Sequence, residues 1–231
     1  MSTPTERANR LRLIPQDLAR ELKQEHCAGA RLFANRYELI ASMKLPANPV
    51  VTEVGVGVGD FSAFIFEQLR PSHFHAFDIF RMHELDEFWG VPRKQVFGDL
   101  THEQFFRQRF ADQTDRLTVY EGDSRETLER LPDQSQDLIY IDANHDLEPV
   151  RAEAAIAMRK IKSGGVIVFN DYTSYDQNLG IPYGVVQAVN EVLQSGNWYV
   201  VSFALQPSMF CDIAIRRRPL ARARRWVRRY V

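Results

Sequence analysis

Along this chain, short runs of almost uniformly apolar residues alternate with longer segments whose apolar residues recur every three or four positions. Residues 49–54, 74–79, 117–120, 137–141 and 166–169 are runs of the first kind, and they read as strands buried on both faces. Helical spacing occupies the intervals: residues 61–69, stopped by Pro71, then 125–131, and later 185–193. The clearest helix follows Ile141. Asp146, Glu148 and Pro149 suit a first turn, Val150, Ala154, Met158 and Ile161 make one apolar face, and Lys160, Lys162 and Gly164-Gly165 end it. Residues 198–204 and 210–215 read as two closing strands around Gln206-Pro207-Ser208. Alternating strand and helix followed by a hairpin predicts an α/β fold, a doubly wound, mostly parallel seven-stranded sheet with an antiparallel C-terminal hairpin. Ahead of it, residues 16–25 and 30–43 read as helices, the second carrying Leu32, Leu39, Ile40 and Met43 as a partial stripe. Residues 81–110 are aromatic and partly helical. Without repeats or a Gly/Pro/Ser-rich linker, the economical division is an N-terminal helical cap segment (1–48), one sheet domain (49–216) and a basic tail (217–231).

The first strand runs into Glu53-Val-Gly-Val-Gly-Val-Gly-Asp60. A strand that turns at once into a helix needs residues tolerating positive φ and close backbone approach, which glycine supplies. In the dinucleotide fingerprint the third glycine stands three residues after the second and faces a pyrophosphate. Here the spacing is an even GxGxG, and the acids Glu53 and Asp60 at its ends would repel a pyrophosphate. They suit a ligand carrying an ammonium and a sulfonium. The next strand ends in Asp78, where such folds place an acid for ribose hydroxyls. Ligands of doubly wound sheets sit beyond the carboxyl ends of the strands, at the reversal of strand order. Asp123, Ser124, Asp142, His145 and Asp171 all follow predicted strands.

Taken in order, EVGVGVGDFS, Asp78, EGDS at 121–124, IDANH at 141–145 and GGVIVFNDY at 164–172 resemble the motifs of class I S-adenosylmethionine-dependent methyltransferases, across residues 49–216. IDxxH followed by GGVIVFxDY is similar to the macrocin and mycinamicin O-methyltransferase type, with a looser likeness to catechol O-methyltransferase. The resemblance implies a Rossmann-like sheet that binds S-adenosylmethionine and releases S-adenosylhomocysteine. On that reading Gly55, Gly57 and Gly59, with Phe61 and Ser62 at the helix start, flank the methionine portion, and Glu53 meets its ammonium. Asp78 accepts from the ribose, Ile79 lines the adenine, Asp123 and Ser124 meet the adenine edge, and Asp142 closes the cofactor set. Asp123 can equally be a helix-capping acid.

Methyl transfer from a sulfonium needs positioning and help with the nucleophile's proton. Asp142, Asn144, His145, Asp146, Asp171 and Tyr172 are the candidates. His145 is the preferred general base because imidazole titrates near neutrality, although it could instead order its loop by bonding Asp171. Asp142 and Asp171, on neighbouring strand ends, could hold Mg2+ through oxygen ligands. The family's third oxygen ligand, beside the second aspartate, is displaced here, where Asn170 and Tyr172 flank Asp171. Phe80, His83, Phe88, Trp89, Tyr175, Tyr183 and Trp198 could wall an acceptor pocket or belong to the core. A small-molecule hydroxyl is the expected acceptor, since no NPPY-type amide motif is present. N-methylation, a dinucleotide oxidoreductase and a non-catalytic nucleoside-binding regulatory protein are the competing readings.

Charge adds one feature. The chain of 231 residues has a net charge of −1, yet residues 216–231 hold eight arginines and no acid, which leaves −9 on the other 215. In the tail Leu220, Ala223, Val227 and Tyr230 recur at helical spacing. A helix docked on the acidic body and a peripheral membrane-surface contact both fit that pattern. Nucleic acid is an unlikely partner, because no basic, aromatic-interleaved face appears elsewhere. With no signal-peptide core or membrane span in the sequence, a cytoplasmic protein with Cys27 and Cys211 as reduced thiols is expected. A homo-oligomer is compatible with all of this.

Overall fold

The computed structural model describes residues 21–88 and 90–219. Its centre is an eight-stranded sheet built from β1 (Arg31–Phe33), β2 (Val50–Val54), β3 (His73–Asp78), β4 (Leu117–Glu121), β5 (Gln136–Ile141), β6 (Ile161–Phe169), β7 (Trp198–Ala204) and β8 (Asp212–Arg217). The spatial order is β1-β7-β8-β6-β5-β2-β3-β4. All pairs from β6 through β4 are parallel, while β8 runs antiparallel to both β6 and β7. The helices are α1 (Gln24–Cys27), α2 (Arg36–Ala41), α3 (Asp60–Leu69), α4 (Arg93–Phe97), α5 (His102–Arg109), α6 (Ser124–Thr127), α7 (Leu147–Lys160) and α8 (Val185–Gln194). Among the described residues, no helix is long and apolar enough to cross a membrane.

The uniformly apolar runs are explained by two cores, one on each face of the sheet. Successive residues of β5 alternate between them: Leu138 and Tyr140 pack with α2, α3 and α5, whereas Ile139 and Ile141 pack with α7 and α8. Val166, Ile167, Val168 and Phe169 of β6 alternate in the same way. Period-two alternation across a sheet covered on both sides turns a half-apolar pattern into a continuous one.

Two boundaries differ from expectation. Residues 30–43 do not form one helix. Arg31–Phe33 adds β1 as an edge strand parallel to β7, and the helix starts only after Asn35, whose side chain accepts the Glu38 N–H at 3.0 Å. Leu32, counted in the apolar stripe, is two-thirds exposed. Further on, α7 ends at Lys160 rather than at the glycine pair, and β6 begins at Ile161, with an irregularity in its ladder to β5 before Val166. Of the predicted helix at 16–25, only its last residues are described, and the arginine-rich tail beyond residue 219 and Trp89 also lie outside the described residues.

Candidate active site

Strand order reverses between β2 and β5, and a cleft of about 670 Å³ opens beyond the carboxyl ends of β2, β3, β4 and β5. This is where a doubly wound sheet places a ligand. Its inner wall is the glycine loop. Gly55 has φ +85° because β2 passes against β5 there: a Cβ at this position would stand 2.0 Å from the Asp142 carbonyl oxygen. Gly57 has φ +50° and faces open space in the cleft. Gly59 and the buried Ser62 lie behind the wall, Gly59 against Phe106 and Phe110.

Neighbouring elements hold the loop from outside. Asp78, at the end of β3, accepts the Val56 and Gly57 N–H groups on Oδ2 at 3.0 and 3.1 Å and the Phe80 N–H on Oδ1 at 2.8 Å. Each carboxylate oxygen has two lone pairs, so acceptor capacity remains for a ligand hydroxyl. From α5, His102 Nε2–H donates to the Gly57 carbonyl at 2.7 Å, and Arg109 donates to the Val58 carbonyl and pairs with Asp60, both at 2.7 Å. His102 and Arg109 carry no motif in the sequence. Only the pairing of α5 against the loop identifies them.

Glu53 lies under the loop, almost fully buried, with Ser62 Oγ–H donating to its Oε2. Burial raises its pKa to about 8, against the opposing effects of the Ser62 hydroxyl and the Arg36 charge. Arg36, from α2, is the cation that sequence reading missed. It lies 3.3 Å from Asp142 Oδ2, donates to the Tyr140 hydroxyl oxygen, and stacks over Phe61 with 4.5 Å to the ring centroid. The second missed residue is Asp212 of β8, fully buried, which accepts from Tyr140, Asn170 and Gln206 at 2.7, 3.0 and 3.0 Å.

At the other end of the cleft, Ile79 is half-exposed and lines it with Met82, Asp123 and Ser124. Asp123 caps α6 and pairs with Arg125 through both carboxylate oxygens. Tyr172, Phe80 and Trp198 face away from the cleft. The Tyr172 hydroxyl donates to Asn190, while Phe80 and Trp198 are core residues.

His145 and Asp171 stand beside the cleft, not on its lining. His145 Nε2 is 3.5 Å from Asp171 Oδ2 and 3.7 Å from Asp142 Oδ1, without a hydrogen bond in either direction. Its ring stacks on Tyr183 with centroids 4.6 Å apart. Burial lowers the His145 pKa and raises that of Asp171 to about 7, the latter with help from Asp212. Asp171 has φ +52°, uncommon for an aspartate and seen where tertiary contacts override local preference.

The donor set does not fit the magnesium ion that Asp142 and Asp171 suggested. Arg36 already pairs with Asp142 Oδ2, so a protein cation stands against one of the two carboxylates. Among the described residues no group of three or more His, Cys, Asp and Glu side chains is arranged to hold a metal.

No curated protein sequence matches this chain. Among solved structures it is similar to a Clostridium thermocellum protein designated an rRNA-methylase (TM-score 0.56, 15% identity, covering 80% of this chain and 94% of that one). It is similar to the B. subtilis M1A22 tRNA methyltransferase (0.52, 12%, 81% and 67%) and to a pyocyanin biosynthetic protein (0.51, 14%, 79% and 54%). At these identities the likeness concerns the fold alone. Because that fold is shared by proteins named for such different work, it lends no support to the expectation against nucleic acid. A family model described as a methyltransferase domain matches residues 52–172, just over half the chain. The chain therefore belongs to the methyltransferase-domain family.

Proposed function

We propose that this protein is an S-adenosylmethionine-dependent methyltransferase acting on the hydroxyl of a small molecule. The observation that carries the reading is the acidic inner wall. Glu53 is buried where a ligand beside Gly57 would lie, and Asp78 is fixed nearby with acceptor capacity to spare. A buried carboxyl group without a full counter-charge favours a cationic ligand and disfavours a phosphate. The cleft volume lies within the range usual for small-molecule sites.

When bound, S-adenosylmethionine supplies a methyl group already activated by its sulfonium. The chain's own work is then to hold the acceptor in line and to receive its proton. Glu53, Gly57, Asp78, Ile79 and Ser124 orient the donor on this reading, and Arg36 keeps Asp142 in place. On this reading His145 Nε2, which lies between Asp171 and Asp142 beside the cleft, takes the hydroxyl proton. A hydroxyl needs such a group, whereas a neutral amine brings a free lone pair to the reaction. That difference supports O-methylation over N-methylation.

Calorimetry with S-adenosylmethionine and with NAD tests the first half of the proposal. Micromolar binding of the former alone is expected, and its failure to bind would sink the reading. Release of S-adenosylhomocysteine across a panel of phenols, sugars and amines then tests the acceptor. His145→Ala should lower kcat by about 10²–10⁴-fold on a hydroxyl acceptor. An amine-only activity profile would replace O- by N-methylation.

A further inference from the structure

At the outer end of the cleft one buried carboxyl group has no task in the scheme above. Glu153, on α7, is fully buried, yet it lines the cleft together with Pro149, one turn earlier on the same helix face, and with Gly122, Asp123 and Ser124. Its Oε1 accepts from the Ser124 hydroxyl, while its Oε2 has no partner among the described residues. An unsatisfied buried oxygen is costly, and on a side chain whose residue lines a cleft it points to a ligand contact. Burial raises the Glu153 pKa to about 7, with Asp123 adding to the rise and the Ser124 hydroxyl and Arg125 opposing it. Since Oε1 is the oxygen that accepts from Ser124, the proton of the neutral acid belongs on Oε2, making that atom a donor. Asp123, the acid expected at this end, is already committed to Arg125 and to the start of α6.

Resting on the methyl-donor reading, we propose that Glu153 determines specificity for the cofactor's base, with its Oε2–H donating to a ring nitrogen of the purine. Purine ring nitrogens are acceptors with in-plane lone pairs. An ionised carboxylate at this place would repel them, whereas a carboxylic acid matches them.

The test is calorimetric affinity for S-adenosylhomocysteine and its 1-deaza, 3-deaza and 7-deaza analogues, on wild type, Glu153→Gln and Glu153→Leu, with melting temperatures recorded for each protein. On wild type, one analogue should bind about tenfold or more weakly than the parent, the loss of about 1.4 kcal/mol. Glu153→Gln, whose amide N–H still donates, should keep that pattern. Glu153→Leu should weaken the parent by a similar factor and no longer distinguish it from that analogue. An analogue pattern identical on wild type and Glu153→Leu would overturn the inference while leaving the methyl-donor reading intact. No binding of the parent to wild type would remove both.

Discussion

Gly55 and Gly57 are two residues apart in one loop, yet a methyl group added to each would have opposite consequences. At Gly55 the new Cβ would meet backbone, the Asp142 carbonyl oxygen at 2.0 Å, and backbone at a strand junction cannot move aside cheaply. Gly55→Ala should therefore cost about 3 kcal/mol or more of unfolding free energy in a urea titration. Gly57→Ala meets no atom within 4 Å and carries only the cost of a left-handed conformation, about 1 kcal/mol. It should fold, and its defect should appear as weaker S-adenosylmethionine binding, because Gly57 faces the cleft. Glu53 gives a second test at this scale. With a pKa raised to about 8, it is mostly protonated at pH 7 in the free protein. A ligand ammonium beside it would favour the ionised form, so binding should release a proton and strengthen as pH rises toward 8. Calorimetry in buffers of different ionisation enthalpy reads that release directly, and Glu53→Gln should abolish it. Buffer-independent binding heats in wild type would remove Glu53 as the ammonium's partner.

The elements best read from sequence were the strands of the parallel part of the sheet, most of them buried on both faces. β2 through β6 lie in the parallel part of the sheet, where near-continuous apolar runs are the expected pattern, and β7 and β8 were also found. The strand-end acids were legible for the same reason, since they follow those runs directly. The N-terminal segment was misread because β1 is a three-residue edge strand with an exposed leucine, which has too little pattern to register. A usable signal was present in Asn35 with Glu38 three residues on, a helix-start arrangement in the middle of what looked like one helix. Arg36 follows that cap, so missing the boundary meant missing the residue. Asp212 and Glu153 were illegible for a different reason: each sits in an ordinary strand or helix pattern and reaches the site only through the sheet order and the packing of α7. α2 carries a prediction of its own. Arg36→Ala leaves Asp142 and the Tyr140 hydroxyl without their cation and should lower stability by about 1–3 kcal/mol, between the values for surface and buried pairs. Arg36→Lys should fall between the two, because an ammonium cannot reproduce the guanidinium's paired contacts and stacking. Since that guanidinium already pairs with Asp142 and no group of three His, Cys, Asp and Glu side chains among the described residues is arranged to hold a metal, turnover should be unchanged by a chelator. A rate lost to chelation and restored by magnesium would overturn that assignment.

At the scale of the molecule, parallel strands deliver their carboxyl ends to one edge of the sheet, and this chain places acids at nearly every one of them. Glu53, Asp142, Asp171, Asp212 and, on α7, Glu153 all have pKa values raised by burial. The folded state therefore holds protons that the unfolded chain gives up near pH 4. Below about pH 4 both states are protonated and the groups are neutral in their effect. Between there and the folded values, about 7 for Asp171 and Glu153 and about 8 for Glu53, each pH unit costs up to about 1.4 kcal/mol per group still protonated in the fold. Asp123, Asp133 and Asp176 are shifted downward by their partners and act with the opposite sign, but only below the usual carboxylate range. The melting temperature of the free protein should therefore fall as pH is raised from 5 to 8, the reverse of a protein held together by ionised surface pairs. Glu53→Gln combined with Glu153→Gln should flatten the slope, since neither amide titrates. A melting temperature that is level or rising across this window in wild type would mean that the strand-end acids are already ionised in the fold, and that the acidic wall attracts a cation without exchanging a proton for it.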